Sequence, residues 1–131
     1  MMLLHCKRTL LHIVFPILCG VSVYALWRGI YIFDIPPLLV SRPLDWIKFN
    51  LPDGLWFYSL LSSIMLIWQE NSYRHFIPWL LLAIIMGISL EISQAYNFTS
   101  GTFDWNDLIA YSIATIFFFF NFQQSFKIKK R

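Results

Sequence analysis

The sequence predicts an all-α, polytopic membrane protein: a four-transmembrane-helix bundle with a long outward loop between helices 1 and 2. Three observations lead there. First, of 131 residues 58% are hydrophobic and only 13% charged, against about 45–50% and about 25% in a soluble domain. Too few charged residues remain to coat a water-soluble globule. Second, long apolar segments recur with polar or proline-rich breaks between them. Third, the basic residues gather at the chain ends, where topology signals belong. With no internal repeat and no low-complexity linker, residues 1–131 read as a single integral membrane domain.

A helix rises about 1.5 Å per residue, so about 20 residues cross a hydrocarbon core about 30 Å thick. The first apolar segment runs from about Leu10 to about Phe33. Pro16 is expected to kink it, which membrane helices tolerate when neighbours satisfy the freed carbonyl. The basic start, apolar middle and Val23-Tyr24-Ala25 also describe a cleaved signal peptide. Large Tyr24, Leu26 and Trp27 and the continuation through Phe33 favour an uncleaved span. The connection from Asp34 to Asp53 holds four prolines, which break helices. Its apolar "LDWIKF" suggests a short amphipathic helix from Pro43 to Phe49 lying on the outer leaflet.

The second span, about Gly54 to about Trp68, is short, with Trp56 and Trp68 placed for an interfacial belt. The third covers about Phe76 to about Tyr96, and the fourth about Trp105 to about Phe122.

Orientation follows from charge. Lys7 and Arg8, then Lys127, Lys129, Lys130 and Arg131, mark both termini as cytoplasmic, and Arg74 and His75 mark the loop between spans two and three. The acids of the other two connections, Asp34, Asp45 and Asp53, then Asp104 and Asp107, therefore face outward. The expected location is the cell membrane, and the first partner is the lipid bilayer. The net charge of +3 does not point to nucleic acid, because no aromatic-interleaved basic groove is present. Cys6 and Cys19 lack metal or redox spacing.

One polar constellation interrupts this apolar chain. In "LEISQAYNFTSGTFDWNDLIAY", Ala83, Gly87, Glu91 and Gln94 follow steps of four, four and three. At about 100° per residue they share a stripe about 80° wide. Small Ala83 and Gly87 admit a neighbouring helix, so Glu91 and Gln94 face protein and not lipid. Asp104, Asp107 and Tyr111 share a face of the fourth span, continued by Thr115. Asp104 has a plain structural role available as N-cap, with Asp107 at N3. Glu91 has no capping duty, and a buried carboxyl there needs a partner, a cation or a proton. Candidate partners are Arg42, Lys48, Arg28 and the hydroxyls of Tyr58 and Tyr111. Ser59, Ser62 and Ser63 read as a packing stripe, and "NFT" at Asn97 as a glycosylation acceptor only in a eukaryotic secretory setting.

Glu91-Ile92-Ser93-Gln94 followed by "GTFDWNDLIAY" resembles the C-terminal signature of the VanZ-like family of small multi-pass bacterial membrane proteins. Glu91, Gln94, Asp104 and Asp107 fall on matching positions, and the resemblance also implies a role for Asp53 as an acid preceding the second span. The likeness covers the last two spans; the first half matches only by hydropathy. Gly101 stands where many relatives carry Arg, Tyr111 where they carry Asn, and Ala114 where they carry Gly. The resemblance implies a bacterial cell-envelope protein, in a family whose founding member is associated with resistance to the glycopeptide teicoplanin.

Three functional readings stay open. The first is an envelope protein with an outward acidic and amide pocket, built from Glu91, Gln94, Asp104, Asp107, Tyr111, Asp53 and Arg42, that binds or limits access of amphiphilic or lipid-linked molecules such as glycopeptide antibiotics. The second is an intramembrane enzyme acting on a lipid-linked envelope precursor, with Glu91 as general base and Asp104 and Asp107 holding Mg²⁺. The third is a structural assembly partner without a ligand. Outside the enzyme reading no cofactor is expected.

Overall fold

The computed structural model describes residues 2–28, 45–68 and 73–128. These residues form helices and no strand: α1 (Met2–Thr9), a π-helical turn (Leu10–Val14), α2 (Phe15–Arg28), α3 (Asp45–Ile67), α4 (Tyr73–Ala95) and α5 (Trp105–Ile128). The all-helical class is as the sequence predicts. Two stretches, Cys6–Trp27 and His75–Ala95, are long and apolar enough to cross a membrane.

α1, the π turn and α2 form one rod, since Thr9 and Phe15 at its joints keep helical dihedrals. The irregularity expected at Pro16 takes the form of the widened turn just before it. Proline offers no N–H and crowds the carbonyl four residues back. The Phe15 N–H instead reaches the Leu10 carbonyl, five residues back. The Ser59 hydroxyl of α3 lies 2.9 Å from its own Leu55 carbonyl and 3.3 Å from the Ile13 carbonyl in the loosened turn. Ser59 thus touches the neighbouring rod, while Ser63 donates within α3 to the Ser59 carbonyl at 2.7 Å.

α3 departs most from the sequence reading. It starts at Asp45, not near Gly54, and has 23 residues. There is therefore no separate surface helix ending at Phe49, because 45–49 are the first turns of α3; Pro43 and Arg42 lie outside the described residues. Nor is the helix short: 23 residues span about 34 Å. Pro52 sits inside it, fully buried. Trp56 is no end-of-helix belt residue. It lies mid-helix, its indole over Gly20 so closely that a Cβ there would fall 2.6 Å from Nε1. Trp68, just past the end of α3, stacks on Trp79 with ring centroids 6.1 Å apart.

α3 is the central rod, packed against α2, α4 and α5, while α2 and α4 do not meet. Contact pairs fix the directions. Asn50 meets Asp107, Gly54 meets Ala110 and Tyr58 meets Phe117, so α3 and α5 run parallel. Phe57 meets Gly87 and Trp68 meets Trp79, so α4 is antiparallel to α3. His12 meets Tyr58 and Gly20 meets Trp56, so α2 is antiparallel to it as well.

The core consists of every-fourth-residue rows: Phe57, Leu61 and Met65 from α3, Phe76 and Leu80 from α4, and Ala114, Phe118 and Phe122 from α5. Such rows share one helix face. The opposite faces are apolar too. Leu81, Leu82, Ile85 and Ile92 of α4, Ile109, Ile113, Ile116 and Phe120 of α5, and Phe15 and Leu18 of α2 are exposed. Apolar exposure this continuous is foreign to a soluble monomer and marks contact with a membrane or partner.

Candidate functional site: a three-helix acidic cluster

The start of α3, the end of α4 and the start of α5 meet at one end of the bundle, as their directions require. Each end is built from local sequence. α4 closes in a Schellman motif: the Phe98 N–H donates to the Ser93 carbonyl (2.9 Å), the Asn97 N–H to the Gln94 carbonyl (3.0 Å), and Asn97 takes φ 57°. Asn97 therefore serves as a helix terminator. Gly101 follows at φ 138°, a conformation L side chains rarely adopt, and a Cβ there would lie 2.8 Å from Gln94 Cδ. Gln94 and the turn thus pack on each other.

Asp104 caps α5 as the sequence predicts. Its Oδ1 accepts from the Asn106 backbone N–H and from Asn106 Nδ2, both at 2.9 Å. Asp107, in the first turn, also reaches across helices: Asn50 Nδ2 donates to its Oδ1 at 2.7 Å. A bond this short to a carboxylate belongs to the charge-assisted class. Asn50 is 2% exposed.

Glu91 lies between these elements and is 4% exposed. The Asp104 backbone N–H and the Tyr111 hydroxyl approach its carboxyl as hydrogen-bond donors. Its Oε2 is buried with no hydrogen-bond partner among the described residues. Asp107, Asp53 and Asp104 stand near enough to act on it by charge repulsion. Tyr111 in turn packs its ring on Phe57, centroids 4.8 Å apart.

The structure thus brings Glu91, Asp104, Asp107, Tyr111 and Asp53 together, with Gln94 against the turn beside them. Arg42 and the side chain of Arg28 lie outside the described residues. Two expected partners are elsewhere. Tyr58 Oη pairs with His12 Nδ1 at 2.6 Å, near mid-helix, and Lys48 Nζ sits over the Phe49 ring. Asn50 went unnoticed in the sequence. Its signal was present: Asn50, Asp53 and Gly54 share a helix face at steps of three and one. Among the described residues no set of three or more His, Cys, Asp or Glu is placed to hold a metal ion. Chemically, the cluster is an acceptor-rich end with one buried oxygen that has no partner among the described residues, suited to a hydrogen-bond donor.

Compared with known protein families, with curated proteins and with solved structures, the chain matches none.

Proposed function

We propose that this chain is a four-span membrane protein of the bacterial cell envelope, VanZ-like in type, with both termini in the cytoplasm. Its outward acidic cluster binds the polar group of an amphiphilic or lipid-linked molecule and so limits that molecule's access to the membrane surface. The observation that carries the reading is Glu91: a carboxyl 4% exposed, with no partner for Oε2 among the described residues, held between three helices. Leaving such an acceptor unmet costs about 1–3 kcal/mol or more. A donor-bearing ligand relieves that cost when it arrives. The apolar faces of α2, α4 and α5 support the bilayer setting. Lys7 and Arg8 stand at the opposite end of the bundle from the cluster, which supports the orientation.

Native mass spectrometry of the protein released from its own membranes tests the reading. A co-purifying amphiphile is expected with the wild type and lost in Glu91→Gln and Asp107→Asn, with helicity unchanged. The same bound species in all three would sink it. Orientation has a separate test in a Cys6→Ser, Cys19→Ser background. Thr99→Cys is expected to react with a membrane-impermeant maleimide added outside intact cells; protection of that thiol would refute the outward placement.

A further inference from the structure

The acidic cluster does not account for an apolar cavity on another side of α3. α2 and α5 both pack on α3 but not on each other, and the slot left between them holds about 380 Å³. Leu51 and Leu55 form its floor, Phe15, Ile113 and Phe117 line its walls, and Trp46 lies at its outer end. Among its few polar groups, His12 Nδ1 pairs with Tyr58 Oη at 2.6 Å and Asn121 Nδ2 donates to the Phe117 carbonyl at 2.8 Å. The rest of the lining is mostly apolar. Along α5 the slot reaches from Ala110 to Asn121, about 16 Å by helical rise. If a methylene needs about as much room as a water's 30 Å³ share of the liquid, the volume takes about a dozen of them. A long, narrow, apolar slot of that capacity fits one alkyl chain.

The outer mouth adds charge. Asp107 stands one turn before Ala110 on α5, and Asn50 immediately precedes Leu51 on α3. The Asn50–Asp107 bond thus lies just beyond the residues that line the slot, at its Leu51 and Ala110 end, and Asp107 is only part-buried. Asp53, Asp104 and Glu91 lie behind it in the same negative field. A head group at that mouth meets carboxylates. We infer that the slot between α2 and α5 holds the hydrocarbon chain of a bilayer amphiphile whose head presents an ammonium group to Asp107. This rests on the outward-cluster reading and names the ligand class it takes. Shape selects the tail, and charge complementarity selects the head.

The test uses the full chain in phosphatidylcholine vesicles, with trace hexadecylamine, hexadecanol or hexadecanoic acid, each carrying a photoactivatable diazirine in its chain. Adducts are mapped by peptide mass spectrometry. The amine is expected to label residues lining the slot, Phe15, Leu55 and Ile113 among them, about tenfold more than the alcohol, the ratio a charge-assisted hydrogen bond gives. The acid is expected to label least. Ile113→Trp, which fills the slot from an exposed position, should abolish the labelling. Ile116→Trp, at an exposed position outside the slot, should not. Asp107→Asn should bring amine and alcohol together. Equal labelling of the slot by all three heads, slot labelling no stronger than that of the bilayer-facing residues, or indifference to Ile113→Trp would overturn the inference. If the co-purified amphiphile still depends on Glu91 while the slot stays unlabelled, only the slot assignment falls. If neither variant of the cluster changes what co-purifies, the outward-cluster reading falls first.

Discussion

The Asn50–Asp107 bond sets a measurable quantity. Neutral interhelical hydrogen bonds in membranes average about 0.6 kcal/mol in double-mutant cycles. This one has a carboxylate acceptor, a 2.7 Å separation and a donor residue 2% exposed. Hydrogen bonds to charged groups contribute about 1.5–3 kcal/mol, and that range, not the neutral average, is expected. Asn50→Ala removes the donor and leaves Oδ1 unmet. Asp107→Ala removes the acceptor and leaves the Asn50 amide buried and unmet. The cycle Asn50→Ala, Asp107→Ala and the double variant isolates the pair. Unfolding in mixed micelles, followed by the near-ultraviolet signal, should give a coupling of about 1.5 kcal/mol or more, at least about tenfold in the equilibrium constant. A coupling at or below about 0.6 kcal/mol would mean that the bond does not tie α3 to α5 as argued.

Three further outcomes follow from other contacts. Gly101→Ala forces a side chain onto φ 138° and against Gln94, and should cost about 1–3 kcal/mol; unchanged micellar unfolding would show that the turn relaxes freely. Asp104→Ala should lose about 1 kcal/mol by removing the cap on the Asn106 amide. Asp104→Ser should recover most of that in the same unfolding assay, and equal losses for both would point to a role beyond capping. His12→Phe keeps a ring beside Phe122 (centroids 5.0 Å apart) but deletes the bond to Tyr58. It should cost about 1 kcal/mol, with Tyr58→Phe costing about the same and the double variant little more; additive losses would show two independent contacts.

Local signals located most of the helices. The apolar runs of α4 and α5 are long, and their ends carry readable stops and starts, Asn97 and Asp104. The cluster was legible for the same reason: Glu91 lies near the end of one helix and Asp107 near the start of the next, so a short loop must bring them together. Helix over 45–49 was expected, but its continuation into the span was not legible, because Pro52 and Asp53 carry loop chemistry locally. What carries the helix through 50–54 is tertiary: Asn50 finds Asp107, Pro52 is enclosed, and Gly54 lets Ala110 within 3.4 Å of where its Cβ would be. The His12–Tyr58 pair was hidden by distance, its members 46 positions apart and aligned through a π turn. The reach of Asp107 across to α3 was hidden behind its adequate local explanation as an N3 residue.

The parallel pairing of α3 with α5 has a consequence for biogenesis. Translation delivers α3 first, and Asn50 must wait through the synthesis of α4 and the following turn before Asp107 emerges. Until then the nascent α3–α4 hairpin carries the Asn50 amide without its Asp107 acceptor. A chain stalled ahead of α5 would lack the contact that ties the start of α3 to its parallel neighbour.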